Sequence, residues 1–251
     1  MKKYIISNNN IPSINRCVAC IGYFDGIHLG HQELINATVK LACEKGIKAT
    51  LIFFNPDPIN IIYSTKNKHL LSYQNKLKTI NYFGIEEIII IKFNQELMKT
   101  GATNFIKKYL NLMNIDTLVY GYDFKFGYKS LGDYKTLKKY GNFYNVIVPE
   151  RAFLGKKISS SRIKDTLYKG NFKLVNKLLG YKYYLETRVL KCSKSGKFWL
   201  IEAILKDPLC IMPKNGKYNN NLTILDGKIY LESKYKIKKD SVLIIDLIDY
   251  E

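Results

Sequence analysis

The sequence predicts an α/β protein, a doubly wound parallel sheet followed by a second, smaller antiparallel β domain, and three features predict it. Over roughly the first 150 residues, short apolar runs alternate with segments of helical periodicity, as in a parallel sheet covered by helices. From Ser160 the pattern is wholly helical, and beyond Lys182 it becomes a series of short strands. Those strands are separated by the turn signals Ser195-Gly196, Asn215-Gly216 and Asp226-Gly227. A chain of 251 residues can bury one large core and one modest one. The expected division is 1–181 and 182–251.

In order along the chain, the expected parallel strands are Cys17 to Ile21, Lys48 to Phe54, Glu87 to Phe93, Thr117 to Tyr120 and Tyr144 to Val148. Between the first two, Leu34, Ile35, Thr38, Leu41 and Ala42 recur at helical spacing, and Gly46 stops the helix. Ser72 to Phe83 predicts a second helix with Ser72 as cap and Gly84 as stop, and Asn104 to Met113 a third. Ser161 to Tyr168 and Phe172 to Leu179, ended by Gly180, predict two more. The later strands are expected at Tyr183 to Leu190, Lys197 to Leu205, Asn221 to Leu225, Lys228 to Glu232 and Val242 to Ile248. In a doubly wound sheet, ligands bind beyond the carboxyl ends of the strands.

Bulk composition narrows the function classes. Apolar content of 47% and charged content of 24% are those of an ordinary globular chain, and no apolar run approaches the ~20 residues of a membrane span. The start, Met1 to Ile6, has a basic edge, but Ser7-Asn8-Asn9-Asn10 ends the apolar stretch too early for a signal-peptide core, so a cytoplasmic protein with no membrane partner is expected. The five cysteines form one CxxC, Cys17 to Cys20, inside an apolar strand pattern, where cysteine acts as a small apolar residue. The net charge of +19 invites a nucleic-acid reading, yet only Arg16, Arg151, Arg162 and Arg188 are arginine. Lysine in an Ile-, Asn- and Tyr-rich chain reflects compositional bias more than a phosphate-reading surface, so a nucleic-acid partner is not expected. The charge still favours solubility and attracts anionic substrates.

The first strand runs directly into Gly22-Tyr23-Phe24-Asp25-Gly26-Ile27-His28-Leu29-Gly30-His31, where a helix opens. Gly22, Gly26 and Gly30 let backbone approach a phosphate, and a helix amino end offers free N–H groups and a positive dipole. The spacing is neither GxGxxG nor a P-loop. Two of the chain's three histidines stand here, aimed at the anion site that the glycines create.

This string resembles the signature of the HxGH nucleotidylyltransferases, and specifically the FAD synthetase module of the prokaryotic bifunctional riboflavin kinase/FAD synthetases. Three further stretches carry the resemblance in the same order. Phe53-Phe54-Asn55-Pro56-Asp57-Pro58 is similar to that family's TFxPHP segment. Tyr120 to Gly127, followed by Gly132-Asp133, resembles its VGxDFxFG…GD segment. Ile158 to Ile163 resembles ISSTRI, and the helix after Asn171 runs into LLG-x-x-Y as in the family. The resemblance covers nearly all of residues 15 to 184.

The resemblance implies a Rossmann-like fold and transfer of the adenylyl group of ATP to FMN, giving FAD and pyrophosphate, with Mg2+ accompanying ATP. It implies that His28 and His31 work on the triphosphate, with Ser160, Ser161 and Arg162 at a second helix start engaging the outer phosphates. Gly22, Phe24, Asp25, Gly26, Gly30 and Ser159 are implied in nucleotide binding, Asn55 and Pro56 in the adjoining loop. Gly121, Asp123, Phe124 and Phe126 are implied in the flavin site. Asp123 or Asp25 could help hold magnesium, and the sequence does not choose between them. A serine run before a helix also makes a simple cap, and Phe124 and Phe126 also suit a packed loop.

Two departures stand out near the site: Asp57 replaces the family's histidine in Pro-His-Pro, and Ser161 its threonine. At the carboxyl end, residues 182–251 lack the kinase's GRxLGFPTAN stretch, and Pro213 to Tyr218 is a faint echo of its P-x-x-G-V-Y strand start. A shortened riboflavin-kinase-like barrel without kinase activity is therefore expected, with a scaffold or oligomerisation role as the alternative. A retained kinase activity, HxGH chemistry on another phosphorylated acceptor, and a basic RNA-binding module with a relict site are the competing functions.

Overall fold

The computed structural model describes residues 1–7, 10–56, 58–62, 68–218 and 222–247. The elements are, in order, β1 (Lys2–Ile6), β2 (Cys17–Ile21), α1 (Leu29–Lys45), β3 (Lys48–Asn55), α2 (Pro58–Ile62), α3 (Tyr73–Tyr82) and β4 (Glu87–Lys92). They continue as α4 (Gln95–Met98), α5 (Ala102–Lys108), β5 (Ile115–Gly121), α6 (Tyr134–Tyr140), β6 (Tyr144–Val148) and the short hairpin β7 (Ala152–Phe153) and β8 (Lys156–Lys157). Then come α7 (Ser160–Tyr168), α8 (Phe172–Leu179), β9 (Tyr184–Ser195), β10 (Phe198–Leu205), β11 (Gly216–Tyr218), β12 (Leu222–Leu225), β13 (Lys228–Ser233) and β14 (Val242–Asp246).

Packing divides the chain into two compact units, Met1–Asn67 with Tyr73–Lys157, and Lys68–Ser72 with Ile158–Glu251. The first holds a six-stranded sheet in the order β1-β4-β3-β2-β5-β6, parallel throughout. From β2 the chain winds outward one way through β3 and β4 and the other way through β5 and β6. This is the doubly wound α/β sheet expected from the alternating pattern. The switch point lies between β2 and β5, whose carboxyl ends are Ile21 and Gly121. All five residues of β2 are buried, Cys17 and Cys20 among them, and burial pushes both thiols up, to about 11 and about 12.

Local chemistry explains most element ends. Gly46 takes the left-handed conformation at φ 63° and its N–H bonds back to the carbonyls of Ala42 and Cys43, closing α1. Several elements were not expected, β1 and α6 among them. β1 is a five-residue edge strand beside β4 that buries only Tyr4 and Ile6, too little periodicity to read. α6 begins at Asp133, whose carboxylate accepts from the amides of Lys135 and Thr136. The third expected helix splits into α5 and a 3₁₀ turn, Leu110–Leu112.

The second unit contains α7, α8 and a six-stranded antiparallel sheet in the order β11-β12-β13-β10-β9-β14. α8 ties into it where Asn176 Nδ2 donates to the Leu247 carbonyl at 2.9 Å and accepts from the Tyr183 amide at 2.7 Å. Packing thus separates the chain at 157/158, whereas the boundary expected from sequence pattern falls at 181/182. Asp57, Asn221 and Ile248, each part of an expectation above, lie outside the described residues. Among the described residues no helix is long and apolar enough to cross a membrane.

Candidate active site at the strand-to-helix turn

Gly22 extends β2 by one hydrogen bond, its amide donating to the Ile52 carbonyl at 3.2 Å, and the chain then turns sharply. The turn needs left-handed backbone at Phe24 (φ 51°), Gly26 (φ 78°) and Ile27 (φ 40°), a conformation that costs a side-chain-bearing residue on the order of 1 kcal/mol or more. Phe24, Asp25 and Ile27 are fully buried and hold the turn in place. Gln32 Nε2 donates to the Ile27 carbonyl at 2.9 Å. The outcome is that His28 and His31 stand together at the amino end of α1. Their rings stack 3.8 Å apart at 15°, with Phe24 against His31 at 5.1 Å. A side chain on Gly30 would lie 3.4 Å from the His28 ring, so the glycine leaves the ring face clear.

His28 is also the helix cap: its Nδ1 accepts from the His31 amide at 3.4 Å. Burial pushes the His28 ring down to about 4, against the opposing pull of Asp25. Burial pushes His31 well below its usual value, helped by the neighbouring His28 and Lys76. At neutral pH both rings are therefore uncharged. A neutral ring whose Nδ1 accepts carries its proton on Nε2, so His28 offers an N–H donor there. The Nδ1 atom of His31 is buried without a hydrogen-bond partner among the described residues.

On the other side of the switch point, Gly121 ends β5 and its carbonyl accepts from the Phe124 amide at 3.0 Å. A side chain on Gly121 would meet Asp123 Oδ1 at 3.1 Å. Asp123 pairs with Lys157, which also reaches Glu150 at 3.4 Å, and Tyr122 donates to Glu150 at 3.3 Å. Phe124 and Phe126 do share a face, their rings stacked 5.5 Å apart, and Phe126 packs on Phe105 at 5.7 Å. Beside them lies a cavity of about 410 Å3 lined by Phe54, Pro58, Ile62, Phe93, Leu97, Met98, Phe105 and Lys125 to Ser130. Phe126 lines it and Phe124 backs Phe126; Asp123 is outside it. Asn55 is exposed at the end of β3, its carbonyl accepting from the Phe93 amide at 3.1 Å, and Pro56 follows through a cis peptide bond.

Ser159, Ser160, Ser161 and Arg162 belong to the second compact unit. Ser159 caps α7, its hydroxyl accepting from the Arg162 amide at 3.3 Å, which makes the serine run a cap as well as a candidate phosphate site. Ser161 is exposed and Arg162 half-buried.

Several side chains at the site escaped sequence reasoning. Phe54, Phe93 and Phe105 line the cavity from β3, the residue after β4, and α5, which only the fold brings together, although the alternation of β3 marks Phe54 as facing opposite to Phe53. Lys76 and Lys157 sit in a lysine-rich background that hides them.

A family model described as FAD synthetase matches residues 10–162. Three curated proteins called bifunctional riboflavin kinase/FMN adenylyltransferase are similar to the chain. That of Buchnera aphidicola subsp. Schizaphis graminum (strain Sg) is 37% identical over 202 residues, covering 78% of this chain and 65% of its own length. That of Bacillus subtilis (strain 168) is 33% identical over 186 residues, covering 72% and 59%. That of Listeria monocytogenes serovar 1/2a (strain ATCC BAA-679 / EGD-e) is 29% identical over 196 residues, covering 76% and 62%. The matches thus span less than two thirds of these relatives. Among solved structures, a macrolide-efflux protein from Streptococcus pneumoniae superposes with a TM-score of 0.84 at 24% identity, over 98% of this chain and 90% of that one. It is a likeness of fold.

Proposed function

The chain belongs to the FAD synthetase family, and from that premise we propose that it transfers the adenylyl group of ATP to FMN, giving FAD and pyrophosphate. The observation that carries the proposal is the stacked, uncharged His28–His31 pair on a helix amino end at the switch point of the sheet. An oxygen of the FMN phosphate attacks the α-phosphorus of ATP in line. A new P–O bond forms as the bond to the α,β-bridging oxygen breaks, and pyrophosphate leaves with the electron pair. No covalent enzyme intermediate is needed; the protein positions two anions and stabilises growing charge. His28 and His31 donate hydrogen bonds as charge gathers on the bridging oxygen. Uncharged rings suit this task, since they engage the leaving group without binding free phosphate as tightly as a cation does.

The amides of the Gly22–Gly30 turn receive the triphosphate, and a role for Ser160, Ser161 and Arg162 on its outer phosphates is what the family resemblance implies. The aromatic cavity receives the isoalloxazine ring, an apolar, polarisable plane matched by Phe54, Phe105 and Phe126. Lys125 and Lys129 on its wall favour an anionic flavin over an uncharged one. Magnesium, when bound with ATP, offsets phosphate charge. The ion is carried mainly by phosphates and water, with Asp25 or Asp123 as the candidate carboxylate.

Residues 1–181 form the transferase module of this proposal, and 182–251 a β domain without kinase activity. Substrates that are soluble nucleotides suit a cytoplasmic enzyme. Incubating the purified protein with FMN, ATP and magnesium should yield FAD and pyrophosphate in equal amounts by chromatography. Pyrophosphate release that does not require FMN would point to another acceptor.

A further inference from the structure

β14 is the last strand of the antiparallel sheet and pairs with β9 alone, in register from Val242 opposite Arg188 to Asp246 opposite Tyr184. Just outside the strand, the Ser241 carbonyl accepts from the Val189 amide at 3.0 Å, and the Leu247 amide donates to the Tyr183 carbonyl at 2.9 Å. In an antiparallel pair the backbone groups of alternate residues face the same neighbour, so Ser241, Leu243, Ile245 and Leu247 turn toward β9. The amides and carbonyls of Val242, Ile244 and Asp246 therefore point away from the sheet. Among the described residues no strand pairs with that side.

The edge is also apolar and uncovered. Val242 and Ile244 are half-exposed, at 50% and 51%. Leu243 and Ile245, on the core-facing side, stay partly exposed although their register partners Thr187 and Leu185 are buried. Edge strands are ordinarily guarded against pairing by lysine, proline, a bulge or shortness. β11, the opposite edge of this sheet, is only three residues long and has Lys217 at its centre. β14, Val-Leu-Ile-Ile-Asp in unbroken register, has no such guard in a chain with 40 basic residues.

The charge around the strand says what covers it. The approach to β14 is basic, with Lys236, Lys238 and Lys239 exposed beside a single carboxylate, Asp240. Residues 246–251 are acidic, with Asp246, Asp249 and Glu251 and no lysine or arginine. A segment positive at one end and negative at the other is complementary to itself when turned about a two-fold axis. We propose that β14 is an interface with a second copy of this chain, the two strands pairing antiparallel about an axis at Ile244. Ile244 then faces its own counterpart, and Val242 faces Asp246 of the second copy in both directions. These pairs exchange about six hydrogen bonds and set the basic approach to each strand beside the acidic end of the other. An edge of five residues is less than a standard interface, so the dimer is weak and reversible. The pairing is independent of the adenylyl-transfer reading.

Sedimentation velocity of the full chain from about 1 to about 100 μM should show a monomer–dimer equilibrium. Hydrogen-exchange mass spectrometry with residue-level fragmentation should find the amides of Val242, Ile244 and Asp246 protected at the upper concentration and released on dilution. Those of Leu243 and Ile245, bonded to β9, should stay protected at both. Ile244→Lys places two lysines opposite each other at the axis and should raise the dissociation constant on the order of tenfold or more, whereas Ile244→Val should keep it within about twofold of wild type. A chain that stays monomeric at about 100 μM overturns the proposal. So does a dimer whose three outward amides exchange as fast as in the monomer, or one that a folded Ile244→Lys variant leaves intact. Should the lysine variant melt early, the exchange measurement on the unmodified protein decides alone.

Discussion

His28 does two things with one ring: it caps α1 through Nδ1 and stacks on His31. Substituting it with alanine removes the cap along with the donor, so His28→Asn, which retains an acceptor for the cap, isolates the chemistry. His28→Asn and His31→Ala should each lower turnover by tens to thousands of fold, roughly 2 to 4 kcal/mol of transition-state stabilisation, with melting close to wild type. The depressed His28 value has a stability consequence. With a folded value of about 4 against an ordinary 6.5, the unfolded chain binds more protons between those values. Stability from this group is complete above 6.5 and is lost as pH falls toward 4; thermal melts across that range should show a shallower fall in His28→Asn. Arg162→Lys keeps the charge and loses the planar fork, and should raise the KM for ATP more than it weakens FMN binding. The reverse pattern would assign Arg162 to the flavin.

At the scale of elements, the segment between β5 and α6 sits tightly against the start of α5. Gly127 has φ 73°, and a side chain there would lie 2.7 Å from the Ala102 backbone, while one on Gly132 would meet Ala102 and the Phe126 ring at 2.8 Å. The Phe126 amide donates to the Gly132 carbonyl at 3.2 Å and the reverse bond is 2.8 Å, closing the loop that forms one cavity wall. Gly127→Ala must push this loop away from α5. It should cost roughly 1 to 3 kcal/mol in melting experiments and weaken FMN binding, read by quenching of flavin fluorescence, more than ATP binding. Equal loss for both ligands would mean that the cavity is not the flavin site.

For the whole molecule, the expected outcome is FAD synthesis without FMN synthesis. A kinase must hold a second ATP and set riboflavin's terminal hydroxyl in line with the γ-phosphorus, which calls for a phosphate loop, a metal-holding residue and a base. Residues 182–251 contain strands and tight turns and no Gly-rich loop followed by Thr-Ala-Asn. Two of the carboxylates there are paired with lysines: Glu186 with Lys206 at 2.8 Å and Glu202 with Lys228 at 2.6 Å. Riboflavin, ATP and magnesium should give no FMN above background, while FMN, ATP and magnesium give FAD. FMN produced from riboflavin would make the β domain a kinase of unfamiliar motif. The net charge of +19 should speed capture of both anionic substrates at low salt, and salt-sensitive binding of arbitrary RNA without turnover would favour the relict-site alternative.

The sequence by itself determined whatever depends on local chemistry. Apolar runs marked five of the six parallel strands; in β2, β3 and β4 they need no alternation because both faces are covered. Glycines 22, 26 and 30 with His28 and His31 marked the turn because backbone approach to a phosphate and helix-end donors are properties of a few consecutive residues. Gly46 and Gly180 marked helix ends through their left-handed backbone. Only the tertiary structure decided what depends on residues far apart in the chain. The cavity takes Phe54 from β3, Phe93 from the end of β4, Phe105 from α5 and Phe126 from the loop after β5. The ion pair of Asp123 with Lys157 spans 34 positions, and Lys76 reaches the carbonyl of Tyr23 across 53. The sequence shows two histidines at the turn and says nothing of their charge; the fold lowers both, because burial is a property of everything packed around a ring and of nothing in its own neighbourhood along the chain.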